Sequence, residues 1–160
     1  MNKMMIEIDG AHSGIRFSAC HFIPGHEKCS KLHGHSYIVR ARLEGDINEE
    51  GMIMDFVGIK RSLKTIAEEM DHKTLLPRNS DNVRVVRNEK EVEVTTCNKR
   101  YVFPKEDVVI LDIDITTAEE MSRLMAKKLL SSIKFPKNVK KLWVGLDEER
   151  GQTAWYHESL

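Results

Sequence analysis

The chain has 160 residues with 25 basic and 25 acidic side chains, so its formal charge is zero, which argues against a dedicated nucleic-acid binder with a basic face. Its 41% hydrophobic and 31% charged residues mark a globular chain of a length that suits one domain, able to bury roughly 68–70% of its unfolded surface. No run approaches the roughly 18 apolar residues of a membrane span, and Met1-Asn2-Lys3-Met4-Met5-Ile6-Glu7 lacks a signal peptide's apolar core, so a cytoplasmic protein is expected.

Residues 15–21 alternate so that Ile15, Phe17, Ala19 and His21 share one strand face. Residues 22–32 read as a loop through Pro24-Gly25. The clearest strand is 33–44, with His33, His35, Tyr37, Val39, Ala41 and Leu43 on one face and Ser36, Arg40, Arg42 and Glu44 on the other. Asp55 is a plausible N-cap for a helix over about 56–70, whose stripe is Phe56, Ile59, Leu63, Ile66, Ala67 and Met70. Residues 78–115 are too long for a structureless connection, and Val83–Val86, Glu91–Val94, Tyr101–Phe103 and Val108–Leu111 read as short β segments of a small insertion. A second helix over about 117–133 follows Thr116-Thr117, with Ala118, Met121, Leu124, Met125 and Leu129 on its apolar face. Both Thr116/Glu119 and Thr117/Glu120 have capping-box spacing. Two last strands, 139–147 and 152–158, turn around Arg150-Gly151. The order ββα–(β insertion)–αββ is that of an α+β protein with an antiparallel sheet, a single domain over 1–160 with an insertion at about 78–115.

Three cysteines, Cys20, Cys29 and Cys97, fit no disulfide framework or paired CxxC zinc site, so reduced thiols are expected. The histidines say more. His33 and His35, at i and i+2 on a strand, project from one face about 7 Å apart. His21 ends the preceding strand on its core-facing side, so antiparallel pairing would bring three imidazoles together. Three neutral imidazoles plus an open position make a catalytic zinc site. Any one of them could instead be a half-buried histidine satisfied by hydrogen bonds, but the in-register pair with a third favours the metal. His26, on the loop, is expected to be exposed.

Cys29 lies four residues before His33, flanked by Lys28 and Lys31; its spacing leaves nucleophile, base, fourth ligand and inert thiol open. Cys20 faces away from the His21 side and reads as structural, and Cys97 has no companion. Asp71-His72 is either a chance pair or a carboxylate-supported imidazole that shuttles protons. Glu148 alternates with Val144 and Leu146 toward the apolar side, where a carboxylate can accept two hydrogen bonds from an amidine-like edge. Alternatively, Asp147-Glu148-Glu149 is a solvated turn. Glu119 is explained equally by a capping box.

Taken together, these residues resemble the 6-pyruvoyltetrahydropterin synthase / 6-carboxytetrahydropterin synthase family, whose tunnelling fold (T-fold) is a four-stranded antiparallel sheet with two helices on one face. The matching segments are Phe17-Ser18-Ala19-Cys20-His21, Cys29-Ser30-Lys31-Leu32-His33-Gly34-His35-Ser36-Tyr37, Gly51-Met52-Ile53-Met54-Asp55-Phe56, Met70-Asp71-His72, Thr116-Thr117-Ala118-Glu119, and Val144-x-Leu146-x-Glu148 with Ala154-x-Tyr156. They follow the family's order and cover nearly all of the chain outside 78–115.

The resemblance implies that His21, His33 and His35 hold Zn²⁺, that Cys29 abstracts a proton, and that His72, supported by Asp71, is its relay partner. It further implies that Glu148 anchors the guanidine-like edge of a pterin, with Thr117 and Glu119 helping, and that the substrate is 7,8-dihydroneopterin triphosphate. Lys28, Lys31 and Arg16 are candidates for the triphosphate. The Cys-x3-His-x-His spacing resembles the 7-deazaguanine (queuosine and archaeosine) pathway branch, a zinc-dependent lyase forming 6-carboxy-5,6,7,8-tetrahydropterin. 6-Pyruvoyltetrahydropterin synthase is the alternative within the fold, and a non-catalytic zinc- or pterin-binding module is the alternative outside catalysis. Cys29 argues against a third branch that carries Glu in its place. Thr116 departs from the family where Pro is frequent. T-fold proteins close sheets from several subunits into a barrel, so a homo-oligomer, often a hexamer, is expected, and His72 and Glu148 can come from a different chain than the zinc.

Overall fold

The computed structural model describes residues 3–160. In chain order it contains β1 (Met4–Asp9), a helical turn α1 (Gly10–Ser13), β2 (Arg16–His21), β3 (His33–Gly45), α2 (Phe56–Glu68), β4 (Lys73–Pro77), β5 (Val83–Arg87), β6 (Glu91–Thr96), β7 (Lys99–Pro104), β8 (Val108–Leu111), α3 (Ala118–Ser132), β9 (Val139–Glu149) and β10 (Gln152–Ser159).

The α+β class expected from the pattern is what the chain adopts, and β2, β3, β9 and β10 form the expected antiparallel set. The sheet is larger than four strands. It has seven, in the order β10-β9-β3-β2-β4-β8, with β1 also paired to β3. It is mixed rather than antiparallel throughout, because β4 runs parallel to both β2 and β8. The Lys73–Pro77 strand carries a continuous buried run with no alternation, the pattern of a strand covered on both faces. β1 and β2 follow one another along β3, Asp9 opposite Arg40 and Arg16 opposite Ile38, with α1 looped out between them. The loop closes tightly at Gly10, where a Cβ would stand 1.9 Å from the Val39 carbonyl oxygen; only glycine fits there.

Asp55 caps α2, its carboxylate accepting from the Val57 amide at 3.0 Å. Ile59, Leu63, Ile66, Ala67 and Met70 are buried as their spacing predicts, whereas Phe56, at the first helical position, is 42% exposed. In α3 the N-cap is Thr117, and Glu119 and Glu120 in the first turn complement the helix dipole. Met121, Met125 and Leu129 join Ile59 and Leu63 of α2 and Tyr37, Val39, Leu43, Val144 and Leu146 of the sheet in one core, so both helices cover the same face. Each fully buried large apolar side chain contributes about 1.5–3 kcal/mol. The opposite face carries Trp155 under the Arg42 guanidinium at 4.2 Å, and Trp143 against His157 at 4.5 Å. Among the described residues no helix is long and apolar enough to cross a membrane.

Between β4 and α3, strands β5, β6 and β7 form a separate three-stranded antiparallel sheet, while β8 returns to the edge of the main sheet. The small sheet has its own core of Val83, Val92 and Val94 packed with Leu76 and with Phe22, the residue after His21.

Candidate functional site

The β2–β3 register puts His21 opposite His33 and Ala19 opposite His35. Since side chains alternate along strands, all three imidazoles emerge on the core-facing side at the sheet's open end. Ring centroids lie 4.7 Å apart for His21 and His33, 5.0 Å for His33 and His35, and 5.2 Å for His21 and His35. Their ligand nitrogens lie within 4.8 Å of one another, and the group can hold a metal ion.

Each ring is oriented through Nδ1. His21 Nδ1–H donates to the Thr116 carbonyl at 2.8 Å, His33 Nδ1–H to the Lys31 carbonyl at 2.6 Å, and His35 Nδ1 is 3.2 Å from Glu149 Oε1. A carbonyl can only accept, so Nδ1 carries the proton and the lone pair sits on Nε2. His35 Nε2 is buried without a hydrogen-bond partner. Glu148 Oε1 stands 3.4 Å from His21 Nε2 and 3.5 Å from His35 Nε2. Among the described residues no Lys or Arg pairs with Glu148. The Tyr37 hydroxyl lies 3.4 Å from His21 Nε2, whereas the buried His35 Nε2 has no partner; converging imidazole nitrogens, one of them orphaned, beside a carboxylate make a donor set that fits a metal.

Burial, partly offset by the Thr116 hydrogen bond, pushes the His21 pKa down from 6.5 to about 4, so its ring is neutral at pH 7 and ready to ligate. Without metal, the folded protein is destabilised by acid at this residue. Between pH 6.5 and 4 the unfolded chain takes up a proton at His21 that the folded chain refuses, so stability is complete above 6.5 and falls as the pH drops through this window. The loss is about 3 kcal/mol at roughly 1.4 kcal/mol per pKa unit. Urea unfolding of chelated protein at pH 7 and pH 4.5 should show a larger drop in wild type than in His21→Leu; parallel losses would remove His21 as the cause.

The three acidic residues at the end of β9 have separate surroundings. Asp147 is buried and held by the Arg40 Nε and Nη2 at 3.0–3.1 Å and by the Thr153 hydroxyl at 2.7 Å. Glu149 is exposed apart from its contact with His35. Glu148, following the alternation of Val144 and Leu146, points at the histidines of its own chain. The structure places it beside the His21 and His35 rings.

Asp71 and His72 sit at the start of β4. Asp71 Oδ1 accepts from the Ser18 amide at 2.8 Å, Asp71 Oδ2 lies 2.9 Å from His72 Nδ1, and the His72 amide donates to the Ser18 carbonyl at 2.7 Å. The Ser18 N–H, then His72, hold the Asp71 carboxyl below its usual range. His72 adopts φ 57°, a left-handed conformation that costs a non-glycine residue about 1–2 kcal/mol and fixes the direction of its ring. The His72 side chain is 83% exposed and lines an open cleft of about 1020 Å³ with Arg16, Lys73, Arg150, His35 and Glu148.

Cys29 is half-buried and lies outside both the histidine cluster and the lining of that cleft. Its backbone is pinned: the Ile23 amide donates to its carbonyl at 2.6 Å, and its own amide donates to His26 Nδ1 at 3.3 Å. Cys20 Sγ is 3.1 Å from the Thr74 hydroxyl, and Cys97 is exposed in the β6–β7 turn. Thr117 serves α3 as its cap, accepting from the Glu120 amide at 3.4 Å. The capping spacing therefore belongs to Glu120, which pairs with Arg123, and leaves Glu119 exposed with its side chain unpaired among the described residues.

Residues 12–159 match the model of the 6-pyruvoyl tetrahydropterin synthase family. A Methanocaldococcus jannaschii protein that carries the provisional name 6-carboxy-5,6,7,8-tetrahydropterin synthase is 37% identical over 160 residues, 98% of each chain. A Haemophilus influenzae 6-carboxy-5,6,7,8-tetrahydropterin synthase is 29% identical over 119 residues, covering 71% of this chain and 76% of its own. The 6-pyruvoyl tetrahydropterin synthase of Plasmodium vivax superposes with a TM-score of 0.92 at 27% identity over 100% of both chains. With the family model spanning nearly the whole sequence and the T-fold shared throughout, the chain belongs to the 6-pyruvoyl tetrahydropterin synthase family.

Proposed function

We propose that this protein is a zinc-dependent 6-carboxy-5,6,7,8-tetrahydropterin synthase. It converts 7,8-dihydroneopterin triphosphate to 6-carboxytetrahydropterin, acetaldehyde and triphosphate, with water replacing the triphosphate in the overall balance, and supplies 7-deazaguanine synthesis in the cytoplasm. The observation that carries the reading is the set of three imidazoles, each oriented through Nδ1, with the Glu148 carboxylate against two of them and no Lys or Arg paired to it among the described residues. The names of the curated relatives favour the carboxy product.

His21, His33 and His35 would hold Zn²⁺ through Nε2. Zinc, when bound, lowers the pKa of the substrate's side-chain hydroxyls. Cys29, on a loop whose backbone is fixed independently of its thiol, removes a proton from that side chain. His72, held by Asp71 at 2.9 Å, carries a proton at the other side. Glu148 accepts from the guanidine-like edge of the pterin, and Thr117 and Glu119 bind around the ring. Glu148 suits this role because Asp147 is committed to Arg40 and Glu149 to His35. Arg16, which lines the cleft, with Lys28 and Lys31 beside Cys29, would meet the triphosphate. The exposure of His72 and its separation from the Cys29 loop support a homo-hexamer, in which His72 of one chain serves the Cys29 of the next.

The test is product analysis. Purified protein given 7,8-dihydroneopterin triphosphate is expected to release acetaldehyde and triphosphate in equal amounts. Triphosphate with no acetaldehyde would transfer the assignment to 6-pyruvoyltetrahydropterin synthase, the name borne by the family model and the structural neighbours. Neither product would leave a zinc- or pterin-binding module.

A further inference from the structure

The three-stranded sheet β5–β7 makes its contacts with the rest of the molecule at a telling place. On β7 the residues Lys99, Tyr101 and Phe103 alternate onto the more buried side, while Arg100 and Val102 face solvent. Tyr101 stacks on Phe22 with ring centroids 5.5 Å apart and 18° between planes, and Phe103 continues the stack at 5.8 Å. Phe22 is the residue that leaves the metal-site strand at His21 and begins the Cys29 loop. At the loop's far side the Lys99 ammonium donates to the Ser30 carbonyl at 2.8 Å, one residue beyond Cys29. Between these two anchors the loop and the sheet enclose a small cavity of about 240 Å³, lined by Pro24, His26 and Ser30 on one side and Thr96 and Lys99 on the other.

From this geometry we infer that the β5–β7 sheet is a positioning device for the Cys29 loop, with Lys99 as its positioning residue. Within the loop, short-range hydrogen bonds give it shape: Ile23 N–H to Cys29 O, Ser30 N–H to His26 O and Lys31 N–H to Lys28 O. Those bonds are internal and do not hold the loop against the body of the protein. Tyr101 stacks on the Phe22 ring at its start, where the Thr116 hydroxyl also holds the Phe22 carbonyl, and Lys99 holds Ser30 near its end through a charge-assisted hydrogen bond to main chain, next to the Lys31 carbonyl that accepts from His33. The ammonium binds a carbonyl rather than a side chain, so the contact is indifferent to which residue occupies position 30 and acts on backbone placement alone. A thiol that must reach one proton of a bound substrate is sensitive to such placement, since a displacement of about 1 Å costs on the order of a hundredfold in rate.

The kinetic part of the test rests on the function proposed above; the structural part does not. Lys99→Met is expected to lower kcat by about tenfold to a hundredfold with KM within about twofold, and Lys99→Arg, which keeps the donor, to recover most of it. Zinc content and thermal midpoint should stay at wild-type values. Hydrogen exchange of the amides over 23–31, and peptide-resolved alkylation of Cys29, should both rise by about fivefold or more in Lys99→Met, with the β6–β7 amides unchanged. If wild-type protein lacks turnover, the functional reading fails while the exchange and alkylation arms still decide the positioning. Unchanged exchange and alkylation in Lys99→Met would overturn the inference, as would a kcat loss that Lys99→Arg does not restore.

Discussion

Cys29→Ala is expected to lower kcat by about a thousandfold while leaving bound zinc and thermal stability near wild type. General acid–base groups contribute about 10²–10⁴-fold, and a thiol acting as the proton acceptor belongs in that range. The substitution is clean for a structural reason. The loop is shaped by the Cys29 carbonyl and amide, through Ile23 and His26, and by the Ser30 and His26 carbonyls, none of which involves the thiol. The three imidazoles are oriented by Thr116, Lys31 and Glu149, again without Cys29. A loss of rate with metal and fold intact would therefore report chemistry at the sulfur. Cys29→Ser should retain a little more activity than Cys29→Ala, as its hydroxyl is a poorer base in the same place. Turnover unchanged in Cys29→Ala would remove the thiol from the mechanism.

The histidine cluster is legible because it depends on local rules. His33 and His35 share a strand face by periodicity, and consecutive strands pair about two-thirds of the time; the observed antiparallel pairing of His21 with His33 meets the condition on which the convergence rests. The inward aim of Glu148 followed from the same alternation. What orients the imidazoles is not legible, because two of the three acceptors are remote and two are main chain. The Thr116 carbonyl lies 95 residues from His21, and the Glu149 carboxylate 114 from His35. Every residue offers a carbonyl, so none is marked by it. This also bears on one departure from the family: a proline in place of Thr116 would lose the N–H and the hydroxyl that donates to the Phe22 carbonyl at 3.4 Å, but would keep the carbonyl that His21 needs.

The strands that were not foreseen, β1 and β4, fail for a different reason. Lys73–Pro77 is five residues of unpatterned buried chain, whose identity as a strand is settled by parallel partners on both sides rather than by its own periodicity. The sequence marks β8 as a strand but places it in the insertion, because pattern reveals that a segment is extended and is silent on which sheet receives it. The left-handed backbone at His72 has no mark in the chain either, for it is imposed by the turn that delivers Asp71 and His72 to Ser18.

Metal affinity should fall in a graded series that separates ligands from their supports. His35→Ala removes one of three nitrogens from a half-buried ring and is expected to weaken zinc by on the order of a hundredfold or more and to abolish turnover. It is a better probe than His21→Ala, whose ring is fully buried and whose loss would also strand the Thr116 carbonyl and leave a cavity. Glu149→Gln keeps every ligand and weakens only the acceptor on His35 Nδ1, so its effect should be smaller, about 10–100-fold in affinity. Stability reads the same order independently of activity. Zinc at a hundred times its Kd stabilises the folded state by about 2.7 kcal/mol, so the same zinc concentration should raise the unfolding midpoint most in wild type, less in Glu149→Gln and scarcely in His35→Ala. Equal zinc content and equal midpoints across the three proteins would show that the nitrogens converge for some purpose other than metal. The predicted order, with the carboxylate variant in between, is one that a merely destabilised mutant would not produce, because loss of stability alone leaves the zinc-dependent increment untouched.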